Sequence, residues 1–535
     1  MTYGNAAETN SPNRLFRRSV GPAFALLAAW GSPALAQEVE IDVSTTRWRS
    51  TLEYLEADND EEILSLGLHY DLLDAFELVP GSYVGIGGYT GLLGDRGGFA
   101  VGGLTLGWQR DLGSGYGLDL GTFLGAGGSD EGDWGGGLFV RPHVGIEKKL
   151  KSGAGLRLEV SHANVPGGDL ESTQVAIGIT NLDAFLTADW AFTELGRLSG
   201  EAIEATSEAL SLSLVRFFPS HRTEFESGFD FERGGITLAQ IGYDQPLAGG
   251  WFLPLEVGAA VSGEVSGYLQ ALLGLGYRAP LFGSRVNWRL QGLIGGAGGG
   301  GLDTGGGLLT GGKIGVEGQA GERFLIKLLG GYVLAPTGEF DGFTLEGGLS
   351  WAPRRLNPRP GTDLDRFQSQ GLDNDELSLD TWSLQLLHKS ISPDSSVLLQ
   401  DGSPGNEDIQ LLGVGFQKPL SESFALALRA FGAWDGDVGG YREGQVGVLY
   451  NLPVLEPFNS GGDFYVSYFA GVGGGGGVDL GSGLFHQLGI GYSYRPLRNL
   501  SLSIEAATLE GSEGSFEGQS IGIGLTYDLT VPVSR

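Results

Sequence analysis

The ionisable residues that could do chemistry in this chain sit inside short alternating stretches. Between Leu138 and Glu147, Arg141, His143 and Glu147 share one parity, while Leu138, Val140, Val144 and Ile146 share the other. The next such stretch adds Arg157 and Glu159. Comparable positions later carry Arg289, Glu317 and Lys327, and then Arg429, Arg495 and Glu505. Two kinds of chemistry suit such a set. In a tight interior the opposite charges must pair, because an unpaired buried charge is strongly destabilising. Along a water-filled passage they would instead set a field for passing solutes. Ser161-His162 juxtaposes a nucleophile and a base, but neighbouring strand residues face opposite ways, so no catalytic pair is expected. The six histidines (69, 143, 162, 221, 388 and 486) show no His-x-His or HExxH spacing, and no metal site is expected. Strings resembling GxGxxG occur only because Gly is abundant. None follows a strand and opens a helix, so no nucleotide or other cofactor is expected.

The elements that position these residues are strands. A period of two with one apolar face marks a strand that is polar on its other side. In the first third of the chain such strands begin near Thr46, Ile63, Tyr83, Phe99, Tyr116, Leu138, Leu156 and Thr173. Their lengths approach the ~9–11 residues a tilted strand needs to cross a bilayer. The same series recurs twice more. Glycine blocks at 125–128, 295–301 and 471–477 are each followed at equal spacing by a strand start, at Leu138, Leu308 and Leu484. Further matching turns flank them on both sides. The chain therefore reads as three repeats of eight strands, spanning 37–186, 209–352 and 379–535, joined by linkers at 187–208 and 353–378. The first linker has the Ala and Glu content of a short helix; the second is rich in Pro, Arg and Asp and reads as loop.

Composition narrows the class. The chain has 535 residues, 96 of them Gly, with 41% hydrophobic residues and a formal charge of −31. Collagen needs a strict Gly triplet, and disorder needs few aromatic residues. Here there are 27 Phe, 17 Tyr and 10 Trp. The acidic balance speaks against nucleic acid as a partner. With no Cys, disulfides, thiolate metal sites and Cys nucleophiles are excluded. Arg14, Arg17 and Arg18 precede the apolar run 20–29, and Ser32-Pro-Ala-Leu-Ala36 ends in a small-x-small pattern. Residues 1–36 thus read as a cleaved secretory signal peptide. No later run is apolar enough for a spanning helix, so any membrane entry must use a closed barrel. Trp108, Trp288, Trp382, Tyr450 and Tyr494 lie near strand ends, as aromatic girdles do. The acidic surplus falls in connections such as 56–62, 129–133 and 405–410.

These features resemble bacterial outer-membrane β-barrel proteins, porin-like in kind, with each repeat similar to a small eight-stranded barrel of the OmpA type. Ser520-x-Gly522-x-x-Leu525-x-Tyr527 is similar to the terminal assembly signal of that class, although the chain continues through 530–535 where the class usually stops on an aromatic residue. Ser161-His162 is similar to the His-x-Ser-Asn stretch of outer-membrane lipid A deacylases. The order differs, and the other two repeats lack the pair. The resemblance implies an all-β, transmembrane, antiparallel up-and-down fold in the outer membrane of a Gram-negative bacterium. Its partners would be outer-membrane lipid and lipopolysaccharide, with the barrel-assembly machinery during biogenesis. One barrel of about 24 strands is the favoured arrangement, and three tandem eight-stranded barrels the alternative. The expected function is a non-enzymatic, porin-like channel passing small hydrophilic solutes. A structural or adhesive protein of closed barrels is the second reading, and a lipid-modifying hydrolase the third.

Overall fold

A computed structural model describes residues 41–534, apart from 58–60, 76–78, 130–131, 151–153, 189–202, 230–234, 359–376, 400–401, 453–461 and single positions at 264, 266, 284, 322, 353, 406, 437 and 498. The expected signal peptide at 1–36 lies outside the described residues.

The first eight strands are β1 (Ile41–Glu56), β2 (Glu62–Leu73), β3 (Ser82–Gly94), β4 (Ala100–Gly113), β5 (Tyr116–Gly128), β6 (Leu138–Lys149), β7 (Ala154–Asn164) and β8 (Glu171–Ala188). They form an antiparallel meander that closes where β1 meets β8, with Trp48 opposite Asn181. After β9 (Ile203–Ser207), a second closed barrel is built from β10 (Ala209–Pro219), β11 (Ile236–Pro246), β12 (Trp251–Ser262), β13 (Leu269–Phe282), β14 (Val286–Gly298), β15 (Leu308–Gln319), β16 (Phe324–Leu334) and β17 (Asp341–Trp351). After β18 (Arg354–Pro358) come β19 (Leu377–Pro393), β20 (Ile409–Pro419), β21 (Phe424–Asp435), β22 (Arg442–Asn451), β23 (Gly462–Gly474), β24 (Leu484–Leu497), β25 (Leu500–Gly511) and β26 (Glu517–Ser534). This third set closes through β19 and β26.

The single wide barrel is therefore overturned. The eighth strand of each unit pairs with that unit's own first strand. A unit that can satisfy both of its edges locally removes them without recruiting a distant strand, and eight strands enclose a space that side chains can fill. Within the linkers, residues 203–207 form strand β9 and 354–358 form strand β18, while 189–202 and 359–376, where the helix and loop expectations mostly fall, lie outside the described residues. β9 pairs with β18, whose Arg355 pairs with Val533 of β26. The linker strands thus extend the third sheet. The tail beyond the assembly-like signal is used here as well: Val531 and Val533 are buried against Phe185 of the first barrel.

All connections that follow odd-numbered strands of a unit lie at one end, the loop end, and those that follow even-numbered strands lie at the other, the turn end. At the loop end the barrels touch through glycine. Gly98, Gly267 and Gly440 each stand two residues before the fourth strand of their unit, and each has a left-handed φ of 70°, 86° and 88° respectively. A Cβ on Gly98 would lie 2.8 Å from Gly299 N of the second barrel; on Gly267, 3.2 Å from Gly475 N of the third; on Gly440, 3.0 Å from Ser129 O of the first. Ser129, Gly299 and Gly475 hold the same position in or after the three glycine blocks. One head-to-tail contact repeated three times closes a ring. At the turn end the same interfaces carry aromatics: Trp48 stacks on Tyr243 at 5.8 Å, and Trp351 meets Trp382 at 4.6 Å.

Gly98→Ala should destabilise the fold by more than the about 1–2 kcal/mol expected for a left-handed backbone position alone. Gly283→Ala, at φ 65° with nothing near its Cβ, isolates that backbone cost. Thermal unfolding of both variants in detergent measures the difference. Equal losses would mean that the ring contact contributes nothing.

Candidate functional site

The interior of each barrel is built by the inward parity of its strands. In β1 that parity holds Arg47, Arg49, Thr51 and Glu53, all buried, opposite the outward Trp48, Leu52 and Tyr54. Arg47 donates to Asp71 at 2.9 Å and to Asp119 at 2.8 Å, and its guanidinium lies 4.6 Å from the Tyr83 ring. Asp119 also accepts from Arg157 and from the Tyr83 hydroxyl, each at 2.9 Å, and sits 2.9 Å from His143 Nε2. Arg141 spans Glu53 and Glu159, and Arg157 completes the chain to Glu159. Glu147 stands 4.0 Å from Arg47.

The second barrel repeats the principle with other residues. Arg289 is held by Asp244 and lies 3.5 Å from Glu317, which Arg278 also approaches at 3.5 Å. Lys313 joins Glu256 to Glu346, and Lys327 reaches Glu346 at 2.7 Å. In the third barrel Lys389 pairs with Glu443, Lys418 with Asp380, and Arg429 with Glu505 at 3.1 Å. Gln445 and Gln487 bridge these carboxylates.

Of the residues singled out from sequence, Arg141, His143, Glu147, Arg157 and Glu159 come together in the first lumen. Arg289, Glu317 and Lys327 line the second, and Arg429 and Glu505 meet in the third. Arg495 does not join them. It stands exposed at the turn end of β24, 3.6 Å from Asp528, because the alternation continues past the point where the strand leaves the barrel wall. Sequence reasoning missed Arg47, Arg49, Glu53, Asp71, Asp119, Asp244, Glu256, Lys313, Glu346, Lys389 and Glu443. The signal was present: Arg47, Arg49 and Glu53 obey the same every-second-residue rule. Ser161 points inward and donates to Glu53 at 3.1 Å, whereas His162 points outward and meets Thr173 at 2.8 Å. The two do not touch each other.

The lumens are not polar throughout. Toward the loop end each is filled by an apolar cluster to which all four loops contribute. In the first barrel the loops supply Ala57, Phe99, Trp134, Val165 and Leu170 around Tyr89, Phe123 and Phe139. The second uses Phe225, Val265, Leu302 and Phe340, and the third Val397, Val438, Leu480 and Phe516. Each lumen thus holds a layer of paired charges, the first of the two arrangements the charged residues allowed, beneath an apolar stopper. In the ion-pair layer Arg141 Nη1 and Arg157 Nη1 have no hydrogen-bond acceptor among the described residues.

Over the first stopper lies a loop clasp. Buried Arg96 makes a two-pronged bond to Asp169, at 2.7 and 2.6 Å, and a third bond to Glu61 at 2.8 Å. Its guanidinium also packs 5.5 Å from the Trp134 ring. One arginine therefore ties its own loop to the other three. Burial alone would raise the Asp169 carboxyl, but the Arg96 bonds and the Asp133 amide hold it below the usual aspartate range.

Outside, the strands of the perimeter present an apolar wall. Val175, Ile177 and Ile179 of β8, Ile314 of β15, Ile326 and Leu328 of β16, and Ile521 and Ile523 of β26 are all more than half exposed. Trp108, Trp288, Trp382, Tyr450 and Tyr494 all fall at the turn end. Closed antiparallel meanders, polar inside and apolar outside, define the class: an all-β architecture of closed eight-stranded barrels. Among solved structures the chain is similar to Pseudomonas aeruginosa OccK5 (OpdH), at 12% identity over 91% of this chain and 98% of that one, with a TM-score of 0.23. It is also similar to the Pseudomonas aeruginosa outer membrane protein opdK, at 11% identity over 91% and 99% with a TM-score of 0.22, and to Acinetobacter baumannii OccAB3, at 9% over 92% and 99% with a TM-score of 0.23. Scores this low carry no argument about function. No protein-family model and no curated protein matches the chain.

Arg141→Met leaves Glu53 and Glu159 buried beside each other without their shared cation. Losing one partner of a buried pair typically costs about 3–5 kcal/mol. Urea or guanidinium unfolding of the detergent-solubilised protein should show a loss of this order. Adding Glu53→Gln and Glu159→Gln should restore part of it, and a triple variant no better than the single one would refute the network.

Proposed function

We propose that the chain is a porin-like protein of the Gram-negative outer membrane, lying in lipid with its loops outward and passing small hydrophilic solutes through three narrow lumens that its loop stoppers gate. The observation that carries this reading is the facing of the strands. A wall of half-exposed Val, Ile and Leu is untenable in water over so large an area but matches the hydrocarbon layer. A twelve-residue strand rising about 3.3 Å per residue and tilted about 45° spans about 28 Å. Lipid, lipopolysaccharide at the acidic loops, and the barrel-assembly machinery are the partners this placement implies.

The ion-pair layer supports a polar path, and the stopper sets its gate. Passage requires the loops to lift, and in the first barrel the Arg96 clasp holds them down. A second reading is favoured by the same stopper: three permanently shut barrels that display loops, a structural or adhesive role.

Planar-bilayer recording separates the two. The wild-type protein should be quiet near neutral pH, and Arg96→Ala should give small, brief openings rather than the large steps of a wide pore. The pH dependence follows from Asp169. Its carboxyl is held low in the folded state, so its stabilising effect is present above the ordinary aspartate range, about pH 4. That effect is lost as pH falls through the lowered value, so wild-type openings should appear only under such acidity. Silence of Arg96→Ala under all conditions would leave the closed-barrel reading standing.

A further inference from the structure

The faces that the three barrels turn toward one another do not pack together along their whole length. Between the glycine ring at the loop end and the level of Trp48 they border a partly open cavity of about 600 Å³, lined by strands of all three units. Its lining includes outward-parity residues such as Leu104, Val257 and Val446, the same kind of apolar surface that the perimeter strands present. At three equivalent places, the third residue of each unit's fourth strand, stand Gly102, Ala271 and Gly444. All three line the cavity. A Cβ added at Gly102 would meet nothing within 4 Å, and at Gly444 only Val472 at 3.9 Å. The small residues therefore leave room where close packing does not require it, unlike the glycines of the ring.

We propose that this axial cavity holds acyl chains of membrane lipid as a resident part of the folded protein. The inference rests on the membrane placement above but not on conduction. An apolar void of about 150 Å³ already stays dry and takes up hydrocarbon, and this one is several times larger. Water is a poor occupant, because each molecule needs two to four polar partners. Arg442, one of its polar lining residues, donates to the Gly98 carbonyl at 3.2 Å. A protein segment would have to thread between barrels joined at both ends. Acyl chains are already present on the outer faces when three neighbouring barrels close, and the glycine ring then caps them.

The test uses the full mature chain purified from membranes, exchanged through detergent and incubated with phosphatidylglycerol bearing deuterated acyl chains. Native mass spectrometry then counts the lipids that survive. Wild-type protein should retain deuterated lipid, and Gly102→Phe should retain several-fold less, as should the double variant Gly102→Phe, Gly444→Phe. Folding is checked by heat-modifiable gel migration. Equal retention by folded wild type and filled variants would place the lipid on the outer wall and overturn the proposal. A folded but bare wild type, or one holding only detergent, would do the same. If the Phe variants fail to fold, an electron-microscopy map of wild type in a lipid nanodisc decides: tubular density on the axis supports the proposal, and ordered water or a void sinks it. A chain that folds as a monomer in plain buffer would defeat the membrane placement itself, which is a distinct outcome.

Discussion

The pairing of each unit's first strand with its own eighth is the constraint from which the rest follows. It removes both sheet edges and fixes the bore at a width that side chains span. Once the bore is that narrow, every inward charge meets an opposite one, because the low-dielectric interior tolerates no orphan. Arg141 between Glu53 and Glu159, and Lys313 between Glu256 and Glu346, are local solutions to the same problem. A wide bore would have left these groups hydrated and free of that demand.

Closure also explains why glycine is so abundant and why its roles differ by position. Along the walls, glycine makes room for a bulky neighbour: a Cβ at Gly125 or Gly471 would strike the ring of Phe123 or Phe485. In the ring, Gly98, Gly267 and Gly440 permit backbone-to-backbone approach between barrels. Around the axis, Gly102 and Gly444 touch almost nothing. Rigid closed barrels cannot deform toward one another, so residues without side chains must make the contact where their walls converge.

The strands were legible because inward and outward residues obey a period of two, and an error of one residue would have turned Arg141 onto the apolar outer face. The choice between one barrel and three was not legible. Pairing β8 with β1 or with β10 asks for the same alternation, and only register distinguishes them. The stoppers escaped notice for a different reason. Trp134, Val265, Val438 and Phe516 are solitary apolar residues in glycine-rich or acidic loops, where no periodicity marks them as buried. Arg495 shows the converse failure, a residue with the right parity beyond the end of the wall.

Comparison of the three units within the one chain shows which features the architecture holds constant. The ionic layers differ: the first lumen uses four arginines, the second adds lysines, and the third relies on Lys389, Arg429 and glutamines. The ring positions stay alike, with a left-handed glycine facing the following block in all three. A lumen can change its residues as long as its own charges balance, since each barrel is sealed from the others. A ring contact tolerates little change, because each unit is both donor and acceptor of the same surface; the one difference is Ser129 where the other units carry Gly299 and Gly475. Joining the units in one chain relaxes the first requirement for each barrel separately while leaving the second common to all. That difference accounts for three unlike interiors held in one nearly threefold frame.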